Sequence, residues 1–255
     1  MQRAPVLFIG HGSPMNAIED NIYTREWERL GQALPRPDAI LSVSAHWFTG
    51  GTLVSTVAQN RTIHDMYGFP EALYRVRYDA AGAPQVAARV QALLGEAAKP
   101  SDAWGLDHGT WSVLCRMYPK ADIPVLQLSV SRDLSPAEHF RLGQALAPLR
   151  KENVMVFASG NVVHNLGMVG WDMAGGFPWA NAFDQYIKEA VTQGDFARAV
   201  DYRAAGQPAR LAVPTMDHFA PLLYALGAAE GGGAPEVVCD ARVMGSLSMT
   251  GYLFA

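Results

Sequence analysis

Histidine recurs in this chain where apolar stretches give out. FIGHGSP, SVSAHWF, SGNVVHNL and PTMDHFAP bring His11, His46, His164 and His218 to, or just beyond, predicted strands or loop-to-helix junctions. Open α/β sheets carry ligand chemistry beyond the carboxyl ends of their strands, because loops there expose groups held by a rigid scaffold. A neutral imidazole gives one nitrogen lone pair to iron or zinc while an acceptor holds its other nitrogen, so His11, His46 and His218 are the candidate metal ligands. They lie far apart in sequence and form no HExxH helix motif, so folding must assemble any common site. The plain alternative is three unrelated histidines that fasten loops.

Two further histidines have the right chemistry for moving protons. Histidine titrates near neutral pH and transfers a proton when it lies within reach of a reacting oxygen. His164, beside Gly160 and Asn161, is the candidate acid/base, and a structural histidine at a strand end explains it equally well. His108, in GLDHGTW, is a candidate to meet a phenolic oxygen or assist proton transfer, against a loop-fastening role. His64, in TIHDMYGFPEAL, ranks lower, and His139 falls in the helical AEHFRLG and is left outside the site. Asp65 follows His64, Asp107 precedes His108 and Asp217 precedes His218. Asp217 is either an oxygen ligand or the cap of a helix beginning at Phe219. The cap is favoured, since neighbours in an extended segment point in different directions.

The elements that must hold these groups are legible in outline. APVLFIG reads as a central strand, NIYTREWERLGQAL as a helix with apolar Ile22, Trp27, Leu30 and Leu34, and RPDAILSVSAHWF as a second strand. TLVSTVA and ALYRVRYDA are read as strands and QVAARVQALLGEA as a helix. WGLDHGTWSVLCRMYP turns from loop to helix after Gly109, and IPVLQLSVS is a strand. SPAEHFRLGQALAPL is a helix with a serine cap, a first-turn proline and a glutamate three positions on. NVMVFASG supplies another strand, Gly194 divides a later helical stretch, a helix covers Phe219 to Leu226, and a final pair of strands lies in PEVVCDARVMGSLSMTGYLF. Strands alternating with helices imply an α/β fold: one domain over residues 1–255, a central mostly parallel or mixed sheet flanked by helices, and the active site at the strand carboxyl ends.

Composition narrows the function classes. The chain has 255 residues, 49% hydrophobic and 17% charged, which suits a globular domain with a sizeable core. Its net charge is -4 and its 20 basic residues are scattered, which argues against a nucleic-acid or membrane surface. Cys115 and Cys239 are distant and outside any CxxC, so neither a disulfide framework nor a thiolate zinc site is indicated and a reducing, cytoplasmic setting is expected. MQRAPVLFIGHG is too short in apolar length for a transmembrane or signal segment and is read as mature protein. GHGSP lacks the lysine of a phosphate-binding loop and the spacing of a dinucleotide fingerprint, and Ser13 and Ser44 stand outside GxSxG. Trp47, Trp104, Trp111 and Tyr67 either line an aromatic pocket or fill core. Arg61, Arg75 and Arg77 either meet a substrate carboxylate or keep the surface soluble.

FIGHGSP, SAHWF, TIHDMYGFPEALYRVRYDAAG, GLDHGTWSVL, ASGNVVHNL and TMDHFAPLLYALGA, in this order over most of the chain, resemble the class III extradiol ring-cleavage dioxygenases, in their DOPA 4,5-dioxygenase-like branch. The resemblance implies His11, His46 and His218 as ligands of one divalent metal, His164 as the principal acid/base and His108 as an auxiliary proton-transfer residue. It implies Fe(II) for oxygen chemistry, with Zn(II) as an alternative bound ion, and a small catecholic substrate with O2 as partners. Many class III relatives have a carboxylate where this chain has His218, so three neutral ligands leave the ion's charge uncompensated and strengthen attraction for a catecholate. Two other functions are compatible with the residues alone. A zinc-dependent hydrolase would take up no oxygen, and a nonenzymatic aromatic-ligand binding protein would hold catechols without turnover.

Overall fold

Near-continuous apolar runs such as VLFIG, VLQLSVS and VMVFASG are buried along their whole length, as strands covered on both faces must be. The computed structural model describes residues 3–255, so Met1 and Gln2 of the amino-terminal stretch lie outside the described residues. In chain order the strands are β1 (Val6–Gly10), β2 (Ala39–Thr49), β3 (Thr52–Ser55), β4 (Ala98–Ser101), β5 (Val125–Ser131), β6 (Val154–Gly160), β7 (Glu236–Val238), β8 (Arg242–Val243), β9 (Leu247–Ser248) and β10 (Gly251–Phe254). The helices are α1 (Ile22–Ala33), α2 (Glu71–Tyr74), α3 (Pro84–Leu94), α4 (His108–Met117), α5 (Pro136–Leu146), α6 (Pro178–Thr192), α7 (Phe196–Val200), α8 (Gln207–Ala212) and α9 (Ala220–Ala229).

Eight strands form one mixed sheet in the order β4-β3-β5-β2-β6-β1-β10-β7. Its centre, β5-β2-β6-β1, is parallel, while β3 and β10 join the centre antiparallel. Side chains alternate across it. Val6 and Phe8 of β1 face a core built with α6 and α9, and Leu7 and Ile9 face one built with Trp27 and Leu30 of α1 and with α4. The single α/β domain with helices on both faces is the expected architecture.

Local chemistry sets the helix starts. In α1 Asn21 and Thr24 form a reciprocal capping box, and in α5 Ser135 and Glu138 do the same with Pro136 at the first turn. Asp107 caps α4, its carboxylate accepting from the Thr110 amide. α9 is buried all round and crosses α5 closely, where Gly143 and Gly227 leave no room for a side chain.

Four expectations are corrected. ALYRVRYDA is not a strand: Pro70 opens the short helix α2, and the extended remainder has its backbone satisfied by side chains of the preceding loop. The Tyr78 amide donates to Thr62 Oγ1, and Asn60 Nδ2 to the Ala80 carbonyl. The strand β4, sequence AKPS, carries no β-branched residue and was not expected; pairing with β3 imposes it. The carboxyl-terminal pair of strands is present as β7 and β10, but the residues between them add the small β8–β9 ladder. Ile22, read with the apolar face of α1, is 69% exposed because it sits at the helix's first position. Gly194 does divide α6 from α7.

Candidate metal centre

β1, β2 and the loop before α9 converge at the carboxyl edge of the parallel strands. His11 follows β1 directly, its amide donating to the Gly160 carbonyl at the end of β6. His46 owes its position to a bulge: β2 pairs Ser44 with Ser129 of β5 and then Phe48 with Val130, so the intervening residues leave the ladder. Such an irregularity re-aims side chains. His218 is held against β6, where its carbonyl accepts from the Asn161 amide. Two glycines permit the approach. A Cβ at Gly160 would lie 2.2 Å from the His218 carbonyl oxygen, and one at Gly109 only 2.8 Å from His46 Cδ2.

His11, His46 and His218 each present a ring nitrogen to this point, all within 4.8 Å of one another. Hydrogen bonding decides which nitrogen. Ser159 Oγ donates to the Gly109 carbonyl at 2.6 Å, so its oxygen accepts from His11 Nδ1, 3.0 Å away, and the lone pair of His11 sits on Nε2. His218 Nδ1 donates to Asp217 Oδ2 at 2.5 Å, which leaves Nε2 with the lone pair; that atom is buried without a partner among the described residues. His46 Nδ1 lies 3.5 Å from Asp65 Oδ2. The Nε2 atoms of His11 and His46 are 3.1 Å apart. Two lone pairs so close repel, and two imidazole nitrogens on one ion at about 2.0–2.1 Å sit roughly 3.0–3.4 Å apart. The donor set therefore fits a divalent cation. Burial, followed by the neighbouring histidines, depresses the pKa of His11 and His46 far below the ordinary value, so both are neutral, as ligands must be.

The other two singled-out histidines stand in the same cluster. The His164 ring lies flat on His218, centroids 3.4 Å apart and planes 2° from parallel. Burial and then the neighbouring His218 hold His164 neutral. The His108 ring lies 3.8 Å from that of His46. Its Nδ1 donates to Asp65 Oδ2 at 3.0 Å and its amide to Asp65 Oδ1 at 2.9 Å. Burial alone would raise the Asp65 carboxyl, but these bonds hold it below its usual range. Asp217 is likewise held low by His218 against the effect of burial.

Asp217 therefore does not cap α9, as expected from its position; its carboxylate is spent on the adjacent imidazole, and the cap position falls to Phe219 without a side-chain bond. His64 stays outside the centre, its Nε2 at 3.2 Å from the Val76 carbonyl and its ring edge-on to Trp111. His139 is buried between helices, 3.2 Å from Tyr224 Oη. Trp47 and Trp104 stack on each other, Trp111 is core, and Tyr67 is 92% exposed. Arg61 and Arg77 bond to backbone carbonyls, and Arg75 faces Glu71 at the surface. Sequence reasoning missed Ser159 and the role of Asp65. The only signal for Asp65 was its place in TIHD; a buried serine in ASGN gives none.

Comparison with known proteins fits this geometry. Residues 5–255 match the model of the catalytic LigB subunit of aromatic ring-opening dioxygenase. The chain is 49% identical to the 4,5-DOPA dioxygenase extradiol of Escherichia coli, over 97% of this chain and 93% of the relative. It is 39% identical to the Beta vulgaris protein of the same name, over 97% and 95%. A crystal structure of an uncharacterized Escherichia coli K12 protein superposes with a TM-score of 0.87 at 44% identity, covering 99% of this chain and all of that one. Dioxygenases of this kind are metal-dependent and act on a small aromatic substrate and O2. The chain belongs to the LigB family of aromatic ring-opening dioxygenases, as an extradiol ring-cleaving enzyme.

Proposed function

We propose that the enzyme opens the ring of small vicinal diphenols of the DOPA type, holding Fe(II) on His11, His46 and His218. The observation that carries this reading is the set of three imidazoles that bring ring nitrogens within 4.8 Å of one another, the Nε2 atoms of His11 and His46 being 3.1 Å apart, while Ser159, Asp65 and Asp217 face their Nδ1 atoms. Fe(II), when bound, supplies the electron transfer that engages O2 and lowers the pKa of a coordinated phenol. Zn(II) suits the same nitrogens but has no redox change to offer.

The chain's own part is positioning and proton transfer. His108, with Nδ1–H committed to Asp65, has its lone pair on Nε2 and accepts a phenolic proton there. His164 is neutral, and its ring makes no hydrogen bond to the protein among the described residues, so its nitrogens are available to hydrogen-bond the substrate and to exchange a proton with an oxygen beside it. Its face-to-face contact with His218 fixes where those nitrogens sit. Cys115 and Cys239 are free thiols, which supports a cytoplasmic enzyme.

Purified variants test the assignment. His11→Ala, His46→Ala and His218→Ala are expected to lose bound metal and turnover, whereas His164→Ala keeps its metal and loses kcat by about 10²–10⁴-fold. Metal analysis, oxygen consumption with L-DOPA after anaerobic Fe(II) loading, and product mass with labelled O2 are the measurements. Normal metal content in all three ligand variants would refute the site.

A further inference from the structure

We infer that Asp65 is a positioning residue that fixes the tautomer and orientation of His108; the inference rests on the role proposed above for that histidine. Asp65 Oδ2 accepts from His108 Nδ1 at 3.0 Å and lies 3.5 Å from His46 Nδ1, while Oδ1 accepts from the His108 amide at 2.9 Å. With its Nδ1–H held by this carboxylate, His108 has its lone pair on Nε2, the atom that takes a proton. A phenolic O–H bond breaks, an N–H bond forms at His108 Nε2, the electron pair stays on the substrate oxygen, and the Asp65 charge offsets the imidazolium.

The neighbouring carboxylate cannot do this. Asp107 is fully buried and already accepts from Ser44 Oγ at 2.6 Å, Gln127 Nε2 at 2.8 Å, Trp104 Nε1 at 3.0 Å and the Thr110 amide at 3.2 Å. Asp65 is also delivered by a braced segment. The Ile63 amide donates to the Leu106 carbonyl at 2.9 Å, Leu106 returns a bond to Arg61, and Trp111 Nε1 donates to the Ile63 carbonyl at 2.9 Å. The loop is thereby fixed to the start of α4, where His108 is the first residue.

Asp65→Asn discriminates this role from mere structure. Asparagine keeps an acceptor for the His108 amide but offers its NH2 to the ring, so His108 should change to the Nε2–H tautomer. In Zn(II)-loaded, ¹⁵N-histidine-labelled protein, two-bond ¹H–¹⁵N spectra read that change directly, with His108→Ala supplying the resonance assignment. In Fe(II)-loaded protein with L-DOPA, Asp65→Asn should lower kcat by about 10²-fold with a much smaller change in KM. Added to His108→Ala it should cost nothing further, since it acts through that ring. An unchanged His108 tautomer, or an equal kcat loss in the presence and absence of His108, would overturn the inference. If His108→Ala turns over normally, the proton-transfer role of His108 falls, and the catalytic half of this inference with it, while the spectra still decide whether Asp65 sets the tautomer. Asp65→Ala, which removes the acceptor without adding a donor, checks against misfolding: a thermal midpoint near wild type with a mixed tautomer is expected, and a retained single Nδ1–H tautomer counts against Asp65.

Discussion

Each of the three proposed ligand imidazoles faces a neighbour on its far nitrogen, and the neighbours differ in kind. His218 has a carboxylate, His46 lies 3.5 Å from the carboxylate that holds His108, and His11 has only the hydroxyl of Ser159, which passes the bond on to the Gly109 carbonyl. Partners of this sort hold ring orientation and ligand basicity, and losing one typically lowers metal affinity 10–100-fold. Ser159→Ala strands the His11 Nδ1–H and the Gly109 carbonyl in a buried place. Metal titrations of that variant should give a dissociation constant raised within this range, along with about 1–3 kcal/mol of lost folding stability in urea melts. An affinity equal to wild type would show that packing alone orients His11.

At the scale of elements, the bulge in β2 and the close approach of α4 at Gly109 aim the site, while the α5–α9 crossing carries the wall behind it. That crossing contains a titratable group with no catalytic part. His139 is buried against Tyr224, and burial lowers its pKa to about 4. The unfolded chain takes up this proton near pH 6.5, while the folded chain resists it down to about 4. The stability present at neutral pH is therefore lost as pH falls through that window, by roughly 3 kcal/mol in full. Denaturant melts of His139→Gln should lose this part of the decline between pH 7 and pH 4 and retain the rest. Identical acid limbs for the two proteins would contradict the argument.

At the scale of the molecule, the proposed ligands come from three places that sheet pairing and helix packing bring together: the end of β1, the bulged carboxyl-terminal part of β2, and the loop into α9. An ion there crosslinks both ends of the chain and is bound only by the folded state. At a concentration about 100 times its dissociation constant it adds roughly 2.7 kcal/mol of stability, or about 5–10 °C in Tm for a domain of this size. Thermal melts of chelated protein with and without added Zn(II) measure the shift, and His218→Ala should abolish it. A shift of the same size in His218→Ala would place the ion elsewhere.

The central strands, the capped helices and the histidines at their ends were legible in the sequence because each depends on local rules: apolar runs buried on two faces, side-chain caps, and glycine where backbones close. Motif order was enough to suggest the family, and the residue types were enough to suggest imidazole ligation. Tertiary structure alone decided the rest. β4 became a strand because β3 was there to pair with it, and ALYRVRYDA lost strand character because side chains of another loop took its hydrogen bonds. Asp65, 43 residues from His108, and Ser159, 148 from His11, acquired their roles through contacts that no local pattern encodes. A ring nitrogen's lone pair is assigned by whatever holds the opposite nitrogen, and here that partner is distant in sequence in all but one case.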